Sequence, residues 1–100
     1  MNTGLDADVV EKICGVFTQF PELEKAVLYG SRAMGTFKPG SDIDLTLLGP
    51  ALTPDLLASI SIARDDLLLP LTMDLSLFDS LDNRELRDHI ERVGVELYRR

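Results

Sequence analysis

Apolar residues recur along the chain with two periods, and these define most of the expected elements. Leu5, Val9, Ile13, Val16, Phe17 and Phe20 fall at helical spacing, so the first segment reads as an amphipathic helix. Thr3 followed by Asp6 offers a capping-box-like start, and Pro21 closes the segment. Lys25-Ala26-Val27-Leu28-Tyr29 is a short apolar run ending at Gly30, the pattern of a buried strand. Ser31 to Gly35 has room for one helical turn, and the segment from Thr36 to Ser41, with Lys38-Pro39-Gly40, reads as a turn. A second strand spans Ile43 to Leu48 and stops at Gly49-Pro50.

Thr53-Pro54 then opens a helix, with Thr53 as cap and Pro54 at the first helical position. This helix is expected to run to about Leu67, with Leu56, Leu57, Ile60 and Ala63 inward and Pro70 ending the connection. From Leu71 to Phe78 the period becomes two: Met73, Leu75 and Leu77 face one side, Thr72, Asp74, Ser76 and Phe78 the other. Asp82 with Glu85 is the expected cap of a last helix, whose Leu86, Ile90 and Val93 point inward and which Gly94 stops. Val95 to Tyr98 completes a short final strand. The order predicts an α/β (α+β) domain: a small mixed β-sheet with helices packed on one face. The other face carries aspartates and is expected to be open as a site.

Composition narrows the class. The chain has 100 residues, enough for one domain over 1–100 with a modest core. No apolar run is long enough to span a bilayer, and the acidic N-terminal stretch lacks the pattern of a signal peptide, so the expected compartment is the cytoplasm. The single cysteine, Cys14, cannot form an internal disulfide and reads as a small hydrophobe within the first helix. A net charge of −7 argues against this domain gripping nucleic acid directly, since phosphate backbones are held by clustered Lys and Arg. The C-terminal arginines, Arg84, Arg87, Arg92, Arg99 and Arg100, are interleaved with acids and read as a solvated helix face. His89, the only histidine, reads as structural.

The segment from Tyr29 to Leu45 carries the chemistry. It places Gly30-Ser31 directly after a strand and Asp42-x-Asp44 ten residues later, at the start of the next. Residues two apart on a strand project to the same side, so the two carboxylates repel each other unless a cation lies between them. Mg²⁺ suits such a pair, because it accepts one or two carboxylates together with substrate phosphates. Asp74, on the polar side of the third strand, is the candidate third acid of a two-metal site, with Asp79 as fallback. Backbone N–H groups at Gly30-Ser31 can bind phosphate oxygens, glycine allows close approach, and the Ser31 hydroxyl adds a donor. Arg32 and Lys38 can neutralise phosphate charge.

On these residues the chain resembles the DNA polymerase β nucleotidyltransferase superfamily, in its minimal nucleotidyltransferase (MNT) branch. Gly30, Ser31, Asp42 and Asp44 match the family motif, and Asp74 matches the third acid by its place in a later apolar strand. The ending from Leu86 to Tyr98 is also similar. One departure is Met34, where many relatives carry a basic residue. The resemblance implies a polymerase β-like palm fold, ATP as substrate with two Mg²⁺ ions, and a helical HEPN-type partner. Such MNT proteins are the antitoxins of HEPN/MNT toxin–antitoxin pairs and transfer AMP from ATP to a tyrosine of the toxin. Others are the nucleotide-binding half of a two-subunit enzyme acting on a small molecule. A third alternative is a module that silences its partner by binding alone. A homo- or hetero-oligomer is compatible with each.

Overall fold

Four strands and four helices alternate in the computed structural model, which describes residues 4–38, 40–69 and 71–100. The order is α1 (Ala7–Phe17), β1 (Lys25–Tyr29), α2 (Ser31–Met34), β2 (Ile43–Leu48), α3 (Pro54–Asp65), β3 (Met73–Leu77), a 3₁₀ turn (Phe78–Ser80), α4 (Arg84–Val93) and β4 (Val95–Arg99). The strands form one sheet in the order β3-β2-β1-β4. β1 lies antiparallel to β2 and β4, whereas β2 and β3 are parallel, so the sheet is mixed. The parallel pair needs a crossover, and α3 supplies it.

Alternation along the strands separates two faces. Ala26 and Leu28, Ile43, Leu45 and Leu47, and Leu77 point into one core with Ile13, Val16 and Phe17 of α1 and Ile60 of α3. Phe17 is 1% exposed and its ring meets that of Tyr98 edge-on, with centroids 5.5 Å apart. Burying such a side chain contributes on the order of 1.5–3 kcal/mol, so this layer is the main source of stability. Cys14 lies on the half-buried side of α1, its thiol directed at the Leu97 carbonyl at 3.5 Å. Burial pushes that thiol up from its usual range, which leaves it poorly nucleophilic.

The helices do not all share one face, as the apolar stripes had suggested. α1 and α3 cover the core face, but α4 packs on the other, against β1. Ile90 is 4% exposed there and stands outside the main core cluster. The reason is local: Val27, on the outer side of β1, offers α4 an apolar seat, and Gly94 lets the helix end close on it. A Cβ at Gly94 would lie 2.6 Å from Val27 Cγ1 and would also meet the Ile90 carbonyl. Gly94 therefore serves close packing; its φ of −59° is not the left-handed conformation of a glycine cap.

Element ends differ in smaller ways. α1 begins at Ala7 with Asp6 as N-cap and no side-chain cap bond; Thr3, the expected cap, lies outside the described residues. Leu5 still packs against the core. α3 starts as expected, with the Thr53 hydroxyl accepting from the Leu56 N–H, but ends at Asp65. Leu68 follows in a left-handed conformation at φ 54°, and Pro70 lies outside the described residues. β3 is shorter at both ends than the alternation from Leu71 to Phe78, because Phe78 turns into the 3₁₀ segment. Arg87, which reads as solvated in sequence, is half-buried: its guanidinium stacks on Phe78 at 4.3 Å and donates to the Phe78 and Leu81 carbonyls. Among the described residues no helix is long and apolar enough to cross a membrane.

The cap of α4 is Asn83, not Asp82. Its side-chain oxygen accepts from the Leu86 N–H at 3.1 Å, satisfying one of the donors left free at the helix start. Asn83→Ala is expected to lower stability by roughly 1 kcal/mol, against almost no change for Asp82→Ala, when the two are compared by urea unfolding. Equal losses would assign the cap to both.

Candidate active site

The outer face of the sheet carries a polar row across three strands. Tyr29 of β1 pairs with Asp44 of β2, and Asp44 pairs with Asp74 of β3. In the next row Val27, Thr46 and Ser76 stand side by side, and Ser76 donates to Thr46 at 3.1 Å. α4 lies over the β1 side of this face, where Val27 is. Asp42 and Asp74 are exposed and Asp44 is half-buried.

Gly30 joins this row to the turn. It sits at φ 77°, ψ −156°, a region open to glycine alone, and caps the single-turn helix α2. A Cβ at Gly30 would lie 2.6 Å from Asp44 Oδ2, so only glycine lets the turn and this carboxylate come so close. Gly35 ends α2 in the left-handed conformation at φ 76°. The Gly30 carbonyl accepts from the Met34 N–H and the Ser31 carbonyl from the Thr36 N–H, which tightens the turn. The N–H groups of Ser31, Arg32 and Ala33 form the first turn of α2, where no intrahelical acceptor precedes them.

The expected phosphate ligands divide. Arg32 is only 4% exposed: its Nε and Nη2 donate to the Ser41 carbonyl at 3.2 and 3.0 Å, and its guanidinium stacks on Phe37 at 5.1 Å. The guanidinium braces the loop between α2 and β2 and thereby sets where Asp42 begins. Lys38 is exposed on that loop, its N–H donating to the Ser41 hydroxyl at 2.8 Å.

Charge accumulates at the acids. The Asp44 carboxyl is held above its ordinary range, first by burial and then by the negative charges of Asp74 and Asp42. The Tyr29 hydroxyl is likewise raised, first by burial and also by the charges of Asp44 and Asp74, partly offset by the nearby Ser76 hydroxyl. Oxygen donors crowded to this degree suit a hard divalent cation, which relieves their repulsion. Among the described residues, no three acids close on one point as they stand. Asp42 is instead bonded to Thr72, whose hydroxyl donates to Asp42 Oδ1. Asp79 lies in the 3₁₀ turn beyond the end of β3, so Asp74 alone is in register with Asp44.

Two polar side chains near the row are not visible as site neighbours in the sequence. Thr72 reaches Asp42 because β2 and β3 run parallel, with the Ile43 N–H donating to the Thr72 carbonyl at 2.9 Å. His89 reaches the turn from α4: its Nε2 accepts the Gly30 N–H at 3.2 Å and its ring meets Tyr29 edge-on. For Thr72 the sequence signal was its place on the Asp74 side of the third strand; for His89 it was only its type, a lone imidazole, with nothing to say what it faces.

A strand, a Gly-Ser turn and a short helix set beside paired acids on neighbouring strands form the layout of a nucleotidyl-transfer domain. Residues 11–100 match the family described as Polymerase beta, Nucleotidyltransferase, and the chain belongs to that family. Its fold is similar to that in a crystal structure of a toxin–antitoxin with AMP-PNP, at TM-score 0.72 and 24% identity, covering 91% of this chain and 73% of that one. It is similar as well to a complex of tri-AMPylated Shewanella oneidensis HEPN toxin with MNT antitoxin, at TM-score 0.65 and 20% identity, covering 91% and 70%. A Sulfolobus solfataricus protein described as a putative nucleotidyltransferase aligns at TM-score 0.57 and 20% identity, over 91% and 77%. No curated protein matches the sequence.

Proposed function

We propose that residues 1–100 act as one cytoplasmic, Mg²⁺-dependent nucleotidyltransferase domain that moves AMP from ATP to a tyrosine hydroxyl of a helical HEPN-type partner, as an antitoxin does to its toxin. The observation that carries the chemistry is the close approach of the Gly30 turn to Asp44, with no room for a Cβ between them, and the register of Asp44 with Asp74. The choice of acceptor is supported by the similarity to toxin–antitoxin structures, one of them with AMP-PNP and one with an AMPylated HEPN toxin.

In this reading Ser31 donates its hydroxyl and N–H to the triphosphate at the Gly30 turn, and exposed Lys38 adds positive charge. Arg32 holds the loop rather than the phosphates, through Ser41. Asp42, Asp44 and Asp74 would hold Mg²⁺, which when bound neutralises the phosphates and makes the acceptor hydroxyl easier to ionise. In this reading Asp74, exposed at the outer edge of the row, also accepts the proton of that hydroxyl. The hydroxyl oxygen attacks the α-phosphorus and pyrophosphate leaves. Alignment of the reactants supplies much of the rate.

The test is mass spectrometry of the partner after incubation with this protein, ATP and Mg²⁺. One AMP mass or a multiple is expected on a tyrosine, and none with Asp44→Asn. A tight complex without any gain in mass would instead make the protein an inhibitor by contact.

A further inference from the structure

Gly30 is held from two sides. Its carbonyl accepts from Met34 within α2, a bond any helical turn would make. Its N–H has no partner from the turn; it donates to Nε2 of His89, 59 residues away on α4. The imidazole is half-buried and set by a second contact, its edge-on meeting with Tyr29 at a centroid distance of 6.3 Å and an interplanar angle of 81°. An Nε2 that accepts carries no proton, which leaves the ring N–H on Nδ1, so the bond sets the tautomer as well as the orientation.

The conformation of Gly30 makes this bond consequential. At φ 77°, ψ −156° the residue is in neither a helix nor a strand ladder, and glycine resists rotation about φ and ψ less than any other residue. The His89 acceptor opposes turning of the Gly30 N–H, which the ladder ending at Tyr29 does not hold. Rotation about the Gly30 dihedrals would swing Ser31 and the rest of α2, which follow it in the chain, relative to the Asp44 carboxylate that lies close beside Gly30.

We infer that His89 is a positioning residue of the nucleotide site: through Nε2 it holds the Gly30 amide, and so keeps Ser31 and Asp44 at the spacing that a triphosphate and its cation require. This rests on the reading of Gly30-Ser31 as the phosphate turn. It also makes α4, on the outer face of the sheet, part of the site's scaffold. The Gly30 N–H is thereby excluded from the phosphate donors, which are left to Ser31 and the residues after it.

Two variants separate the acceptor from the ring. His89→Phe keeps a ring against Tyr29 and leaves the Gly30 N–H without an acceptor. His89→Gln removes the ring but can return a carbonyl oxygen near the place of Nε2. Binding of ATP with Mg²⁺ is measured by calorimetry on the whole chain, and exchange of the Gly30 amide hydrogen by NMR. His89→Phe is expected to weaken binding about tenfold, the equivalent of about 1.4 kcal/mol, and to speed Gly30 exchange. His89→Gln is expected to stay within about threefold of the wild type, with Gly30 protected. Wild-type affinity in His89→Phe, or a loss in His89→Gln as large as in His89→Phe, would overturn the inference. Should His89→Phe not fold, His89→Gln decides: retained affinity with a protected Gly30 amide supports the role, and a tenfold loss overturns it. A wild-type chain that binds no ATP, or binds it unchanged after Ser31→Ala and Asp44→Asn, would overturn the site reading itself, a result distinct from the failure of His89 alone.

Discussion

Asp44→Asn is expected to reduce nucleotidyl transfer by at least about a thousandfold while the fold survives, with a thermal midpoint at or above that of the wild type at neutral pH. The two halves of this result have one cause. Asp44 is the central acid of the row, half-buried, in register with Asp74 and in reach of Asp42. That crowding makes it a suitable cation ligand and an unfavourable isolated charge. Its folded pKa is raised, so the native state binds this proton more tightly than the unfolded chain does. This group therefore favours folding most below its unfolded pKa and loses that contribution as pH rises through the raised folded value. The amide removes the ionisation, and with it this part of the pH dependence. Pyrophosphate release and thermal melts at neutral and mildly acidic pH report both effects. Asp42→Asn is expected to abolish transfer similarly. Wild-type turnover in Asp44→Asn would dismiss the row as the catalytic site.

Gly30→Ala is expected to damage both stability and activity. The backbone region it occupies costs a residue with a side chain about 1–3 kcal/mol, enough to lower the thermal midpoint by roughly 4–8 °C for each kcal/mol in a domain of this size. In addition the new methyl would press on Asp44 Oδ2 at 2.6 Å, so the acid must move. A displacement near 1 Å at a reacting centre costs about a hundredfold in rate, and that is the loss expected here. Gly35→Ala is the control. Gly35 also has positive φ, at 76°, but a Cβ there meets nothing within 4 Å. It should lose stability and keep most of its activity. Equal loss of activity in the two would attribute the Gly30 effect to backbone strain and not to the contact with Asp44.

What the sequence determined by itself was set by short-range patterns. β1 and β2 end where the apolar runs of Lys25–Tyr29 and Ile43–Leu48 end, because glycine and proline next to a buried run leave little choice of boundary. Thr53-Pro54 opened α3 for an equally local reason, a side-chain cap next to a residue that needs no N–H partner. The Gly-Ser turn and the Asp-x-Asp spacing were legible because both lie within one continuous segment. The cap of α4 was misplaced by one residue, since Asp82 and Asn83 are chemically near-equal and only backbone geometry chooses between them.

Tertiary structure decided what depends on pairing across distance. The parallel register of β2 and β3 brings Asp74 beside Asp44 and Thr72 to Asp42; a shift of one residue would have turned Asp74 into the core. Arg32 follows Ser31 in the chain, yet only the folding back of the loop brings its guanidinium onto the Ser41 carbonyl. The apolar stripe of α4 told that the helix is half-buried but not against which face, since both sides of β1 offer apolar side chains. The outer face won through Val27 and the close approach at Gly94, and that choice carried His89 to Gly30. Periodicity along a chain reports how a residue is oriented on its own element. Which residues meet is a property of how the elements pack, and that information is not local.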